Sequence, residues 1–122
     1  MYRLKIIDSF SAAHQLLGYA GNCESLHGHN WKVEVQVRGE KVNSVGIVID
    51  FKDLKRLTKN VLDRFDHSML NQHEAFGDCN PSSELIARYV YRQIASELPD
   101  GVVMDAVTVW ESDNAAATYC ES

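Results

Sequence analysis

From His29 to Arg38 apolar and polar residues alternate without a break, with Trp31, Val33, Val35 and Val37 in one register and Asn30, Lys32, Glu34, Gln36 and Arg38 in the other. Successive side chains of a strand point to opposite faces, so this run is satisfied by a β-strand with one face buried and the other in water. A helix would scatter the four apolar residues around its circumference. The charged face suits a water-lined surface, not a second core, so the sheet built on this strand is expected to be covered on one side.

The remaining elements follow from weaker signals. The partly alternating run from Tyr2 to about Ala13 reads as a strand, and Gly18-Tyr-Ala-Gly-Asn22 as a loop. Asp50 is a candidate N-cap for a helix whose apolar positions are Phe51, Leu54, Leu57, Val61 and Phe65, ending near Asp66. Pro81 is placed in the first turn of a second helix with an apolar stripe of Leu85, Ile86, Tyr89, Val90, Ile94 and Leu98. Val102 to Trp110 is rich in β-branched residues and reads as a strand, with Ala115 to Cys120 as an edge strand. The order ββααββ predicts an α+β fold, a four-stranded antiparallel sheet with two helices on one face. Open sheet edges favour assembly of subunits edge to edge.

With 122 residues and no repeat or linker, the chain is expected to form one domain over 1–122. Its net charge is −5, from 17 acidic against 12 basic residues with no Lys/Arg-rich run, which argues against a nucleic-acid or membrane-surface binder. An anionic substrate must then be met by a local basic pocket or a metal. The first residues lack the apolar core of a secretory signal and no stretch approaches the ~20 apolar residues of a membrane span, so a cytoplasmic protein is expected. Cys23, Cys79 and Cys120 are odd in number and widely spaced, which speaks against a disulfide framework.

Residues two apart on a strand share a side, so His27 and His29 at the entry to the best strand can converge on one ion. Gly28 between them removes a side chain that could crowd the site. His14, at the end of the preceding strand, can deliver a third nitrogen if the two strands pair. Three protein ligands leave a fourth position open, the pattern of catalytic zinc; Cys23, four residues before His27, could instead close a Cys-His-His-His structural site.

Phe10-Ser-Ala-Ala-His14, Cys23-Glu-Ser-Leu-His-Gly-His-Asn-Trp31, Asp50-Phe51, Asp66-His67, Asn80-Pro-Ser-Ser-Glu84 and Val107-Thr-Val-Trp-Glu111 run in this order along the chain. Together they resemble the 6-pyruvoyl-tetrahydropterin and 6-carboxytetrahydropterin synthases. The resemblance implies the tunnelling fold (T-fold), a homohexamer built as a dimer of trimers, and active sites at subunit boundaries. It implies that His14, His27 and His29 bind zinc, that Cys23 transfers protons as a thiolate, that Asp66 and His67 assist it from another subunit, and that Glu111 anchors a pterin. The implied substrate is 7,8-dihydroneopterin triphosphate. Physical chemistry agrees with these roles: a nearby metal lowers a thiol's pKa, a neighbouring Asp fixes an imidazole, and a carboxylate accepts from adjacent N–H donors.

Cys-x-x-x-His-Gly-His resembles the bacterial 6-carboxytetrahydropterin synthases of queuosine and other 7-deazaguanine pathways, whose reaction releases acetaldehyde. Animal-type pyruvoyl synthases carry a longer spacing. Glu24 also creates Glu-x-x-His-Gly-His, which resembles variants that form 6-hydroxymethyl-dihydropterin for folate. A non-catalytic structural zinc protein is the alternative of another class.

Overall fold

The computed structural model describes residues 1–18 and 25–122. Strand β1, Tyr2–His14, and strand β2, His27–Gly39, pair antiparallel over their whole length, from Tyr2 opposite Gly39 to His14 opposite His27. Alternation sends Ile6, Phe10, Ala12 and His14 of β1 and Trp31, Val33, Val35 and Val37 of β2 to the same buried face. The last four are fully buried, a gain of roughly 1.5–3 kcal/mol for each such side chain.

Helix α1, Phe51–Leu62, starts where the Asp50 carboxylate accepts the Lys52 N–H at 2.8 Å, as the sequence predicts. Its buried stripe is Leu54, Thr58, Val61 and Leu62; Phe51, at the helix's first position, is exposed instead. The Thr58 hydroxyl is silenced by donating to the Leu54 carbonyl. The helix ends at Leu62, four residues before the expected Asp66, and turns carry the chain to His67.

There the sequence expectation needs correction. A two-residue strand β3, Ser68–Met69, pairs parallel with Ala12–Ala13, so among the described residues the sheet is mixed and five-stranded, not antiparallel and four-stranded. Two residues are too few to show a period, so the sequence carries no sign of this strand. A 3₁₀ turn at Leu70–Gln72 then leads toward helix α2, Ser83–Ala95. The α2 cap is Ser82, whose side chain accepts the Leu85 N–H, and Pro81 precedes the cap instead of entering the first turn.

Strand β4, Val103–Ser112, lies on the other side of β2 and continues through a tight turn into β5, Ala115–Tyr119, giving the order β3-β1-β2-β4-β5. Both helices cover one face. Between them and the sheet, Phe65 packs fully buried against Phe10, Phe76 and Tyr89. The opposite face is charged as expected, with Lys5 beside Glu34, Arg38 beside Asp105 and Lys32 over the Trp110 ring at 4.6 Å. None of the described helices is long and apolar enough to cross a membrane.

Candidate metal centre

The core-facing rows of three adjacent strands turn polar at the same end of the sheet. On β1 the row Ile6, Phe10, Ala12 ends in His14; on β2 the row Val35, Val33, Trp31 runs back into His29 and His27; on β4 the row Val107, Val109 leads to Glu111. Register does the rest, since His14 pairs with His27 and Ala12 with His29. Lys32 pairs with Trp110, which brings the following residue of β4 toward His29. Glu111 also falls where the β4–β5 register shifts between Trp110 and Ser112.

The result is a group of four ligand atoms from His14, His27, His29 and Glu111, all within 4.8 Å of one another. His14 is fully buried and the other three are partly exposed. The sequence reading therefore brings its three metal candidates together. It gives Glu111 only the role of substrate anchor, whereas the structure sets that carboxylate among the histidines, 2.9 Å from His29 Nε2. Gly28 is not needed for room: a Cβ there would meet nothing nearer than the Ala12 carbonyl at 4.0 Å.

The ring tautomers argue for a cation. His14 Nδ1 lies 2.9 Å from the Pro81 carbonyl and His27 Nδ1 2.7 Å from the Ser25 carbonyl. A carbonyl only accepts, so both Nδ1 atoms carry the hydrogen and both neutral rings turn a lone pair outward at Nε2. Those two Nε2 atoms are 3.1 Å apart. Two lone pairs at that separation repel unless a proton or a metal ion lies between them, and metal-bound histidines commonly donate their other N–H to a carbonyl. The residues thus fit a metal ion on their own chemistry.

Beyond His14, two asparagines take over the role of a pairing strand. Asn71 exchanges hydrogen bonds with the backbone of Gln15 at 2.8 and 2.7 Å, and Asn80 does the same with Leu17 at 2.9 Å each. A primary amide repeats the donor and acceptor of a peptide group, so it can substitute for one in a ladder. Neither residue has a role in the sequence reading, although Asn80 belongs to a motif quoted there; a lone asparagine in a loop carries no periodic signal.

Asp66 and His67 dock on the edge of β1 at Ser11. Asp66 Oδ1 accepts the Ser11 N–H at 2.9 Å, Oδ2 lies 3.0 Å from His67 Nδ1, and the His67 N–H donates to the Ser11 carbonyl at 2.6 Å. The Ser11 N–H, aided by His67, holds the Asp66 carboxyl below its ordinary value despite some desolvation. Docking onto β1, not helix stability, accounts for an acidic residue past the end of α1. His67 has φ of 57°, uncommon for a residue with a side chain and costing about 1 kcal/mol or more. Its ring is exposed, and His67 lines a cleft of about 390 Å³ together with Ser11, Ala13, Gly28, His29 and Asn30, without being one of the four clustered residues. Cys23 and Glu24 lie outside the described residues.

A family model described as 6-pyruvoyl tetrahydropterin synthase matches residues 3–122. The chain belongs to the 6-pyruvoyl tetrahydropterin synthase family. Within this family of pterin synthases, a Synechocystis 6-carboxy-5,6,7,8-tetrahydropterin synthase is 34% identical, with 91% of this chain and 87% of that protein aligned. A Pyrococcus furiosus protein named dihydroneopterin monophosphate aldolase is 35% identical, covering 86% of this chain and 85% of its own length. The solved structure of Caenorhabditis elegans 6-pyruvoyl tetrahydropterin synthase matches with a TM-score of 0.86 and 32% identity, over 99% of this chain and 96% of that one. The architecture is therefore the tunnelling fold of the 6-pyruvoyl tetrahydropterin synthases, with the short β3 added to the four strands expected from sequence.

Proposed function

We infer that the protein is a zinc-dependent pterin synthase that takes 7,8-dihydroneopterin triphosphate and water and forms 6-carboxytetrahydropterin, with release of triphosphate and acetaldehyde. The observation that carries this reading is the convergence of His14, His27, His29 and Glu111 at one end of the sheet, in a family of pterin synthases. Zinc held by the three histidines would act as a Lewis acid on the substrate's side-chain oxygens. The Pro81 and Ser25 carbonyls fix two of those rings, leaving Nε2 as the atom that would hold the ion. Glu111 holds the pterin through its N–H donors, Cys23 moves protons at the side chain, and His67, oriented by Asp66, assists it. A homohexamer would bring His67 of one subunit to the Cys23 of another.

A second reading has its own support. The Pyrococcus relative is named an aldolase, and Glu24 adjoins Cys23, so cleavage to 6-hydroxymethyl-dihydropterin is the rival outcome. Mass analysis of the pterin formed from dihydroneopterin triphosphate separates the two. With Cys23→Ala we expect retained zinc, an unchanged melting curve and turnover lower by on the order of a hundredfold. Loss of zinc together with loss of fold would instead make Cys23 a structural ligand.

A further inference from the structure

The chain does not leave the sheet where β1 ends. From Ser11 to Leu17 it is tracked by residues 66–81. Ser11 is bonded by Asp66 and His67, Ala12 and Ala13 pair with Ser68 and Met69, and His14 Nδ1 meets the Pro81 carbonyl. Asn71 then takes Gln15 at an offset of 56 residues, the same offset at which Ser68 pairs with Ala12 and Met69 with Ala13. The 3₁₀ turn at Leu70–Gln72 has by then taken the backbone out of extended form, so the side-chain amide continues the parallel ladder in register. Asn80 adds the next rung at Leu17. The peptide groups of an extended chain face one edge at every second residue, which is why these bonds fall on 15 and 17.

Gly18 follows with φ of 75°, a turn into the left-handed region that glycine takes without strain. At the other end of the connection, His27 Nδ1 donates to the Ser25 carbonyl at 2.7 Å. The anchored ends are therefore Leu17 and Ser25, and Cys23 lies between them in the sequence. We propose that Asn71 and Asn80 are positioning residues for the proton-transfer step: by fixing residues 15–17 they set where the Cys23-bearing stretch leaves the sheet, just past His14. The proposal rests on the assignment of Cys23 as the group that moves protons. Releasing the clamps has two effects of different size. Freeing residues 15–17 lengthens the unanchored stretch from seven residues to ten, which dilutes a group on it by only about 1.7-fold. Displacing a reacting group by ~1 Å can cost on the order of a hundredfold. Geometry, not loop length, is what the clamps supply.

The test uses the full chain loaded with zinc, with Cys79→Ser and Cys120→Ser in every sample so that Cys23 is the one thiol present. Asn71→Ala and Asn80→Ala each remove one clamp. Asn71→Asp and Asn80→Asp keep the acceptor for the peptide N–H and lose the donor to the carbonyl, a milder change that preserves the fold if the alanine variants do not. Melting curves, zinc content, kcat and KM with dihydroneopterin triphosphate, and the rate at which iodoacetamide alkylates Cys23 are measured for each, beside Cys23→Ala. We expect folded, zinc-loaded variants with kcat lower by on the order of tenfold and KM within about twofold of the parent. Alkylation should slow as well, since the thiolate that a nearby cation favours is the form that reacts. Parent values of kcat and alkylation in folded variants overturn the proposal, as does turnover that falls only in step with lost zinc. Full turnover by Cys23→Ala overturns the reading beneath it. A slow Cys23→Ala beside clamp variants at the parent rate removes the positioning role alone.

Discussion

Asp66 shows how one side chain can be pinned by its neighbours and report on them. Its carboxylate is held by the Ser11 N–H on one oxygen and by His67 on the other, and its pKa is lowered from the ordinary 3.8. A carboxyl with a depressed folded-state value stabilises the fold above its unfolded value, and that contribution disappears as pH falls through the folded value. Melting temperatures of wild type and Asp66→Asn should therefore differ above pH about 4 and converge as the solution becomes more acidic. A constant difference across that range would mean that the charge is not what holds the loop. The acidic residue itself was visible in the sequence. Its partner was not, because Ser11 contributes a backbone N–H, and no side-chain pattern marks which peptide groups at a strand edge lack a partner.

At the level of elements, the strongly periodic segments were legible and the short ones were not. The burial of Trp31, Val33, Val35 and Val37 and the Asp50 cap follow from residue types alone, since alternation and capping are local rules. Strand β3 and the two asparagine clamps escape such rules, because their bonding partners lie more than fifty positions away in the chain. The clamps make a specific prediction. Asn80→Ala removes both hydrogen bonds to Leu17 and should lower stability by roughly 1–3 kcal/mol. Chemical denaturation measures it, and zinc content should stay at the wild-type level, because strand pairing and not the clamp sets the histidine positions. Loss of metal in that variant would mean that residues 15–17 help to hold the site.

For the whole molecule, the sheet leaves its margins open among the described residues. Within them, only the Ser11–Ala13 end of β1 is engaged by residues 67–69, and β5 ends the other side as Ala-Ala-Ala-Thr-Tyr with no charge. Unpaired, uncharged strand edges recruit other chains unless something covers them. Sedimentation at micromolar concentration should find a homo-oligomer of hexamer size, and a fully active monomer would rule out a site shared between subunits. Three of the four clustered residues were named from sequence as metal candidates because His-x-His on a strand is a local signal; Glu111's place beside them depends on which strands neighbour one another, which is a property of the assembled sheet. The register that sets His14 opposite His27 also has an evolutionary consequence. Both metal candidates stand on the strands, outside residues 15–26, so insertions, deletions or exchanges within 15–26, the proposed reactive Cys23 included, leave the candidate positions where they are. Lineages can then try one acid–base group after another in front of an unchanged platform, a route by which a single ancestral scaffold diversifies into enzymes with different products.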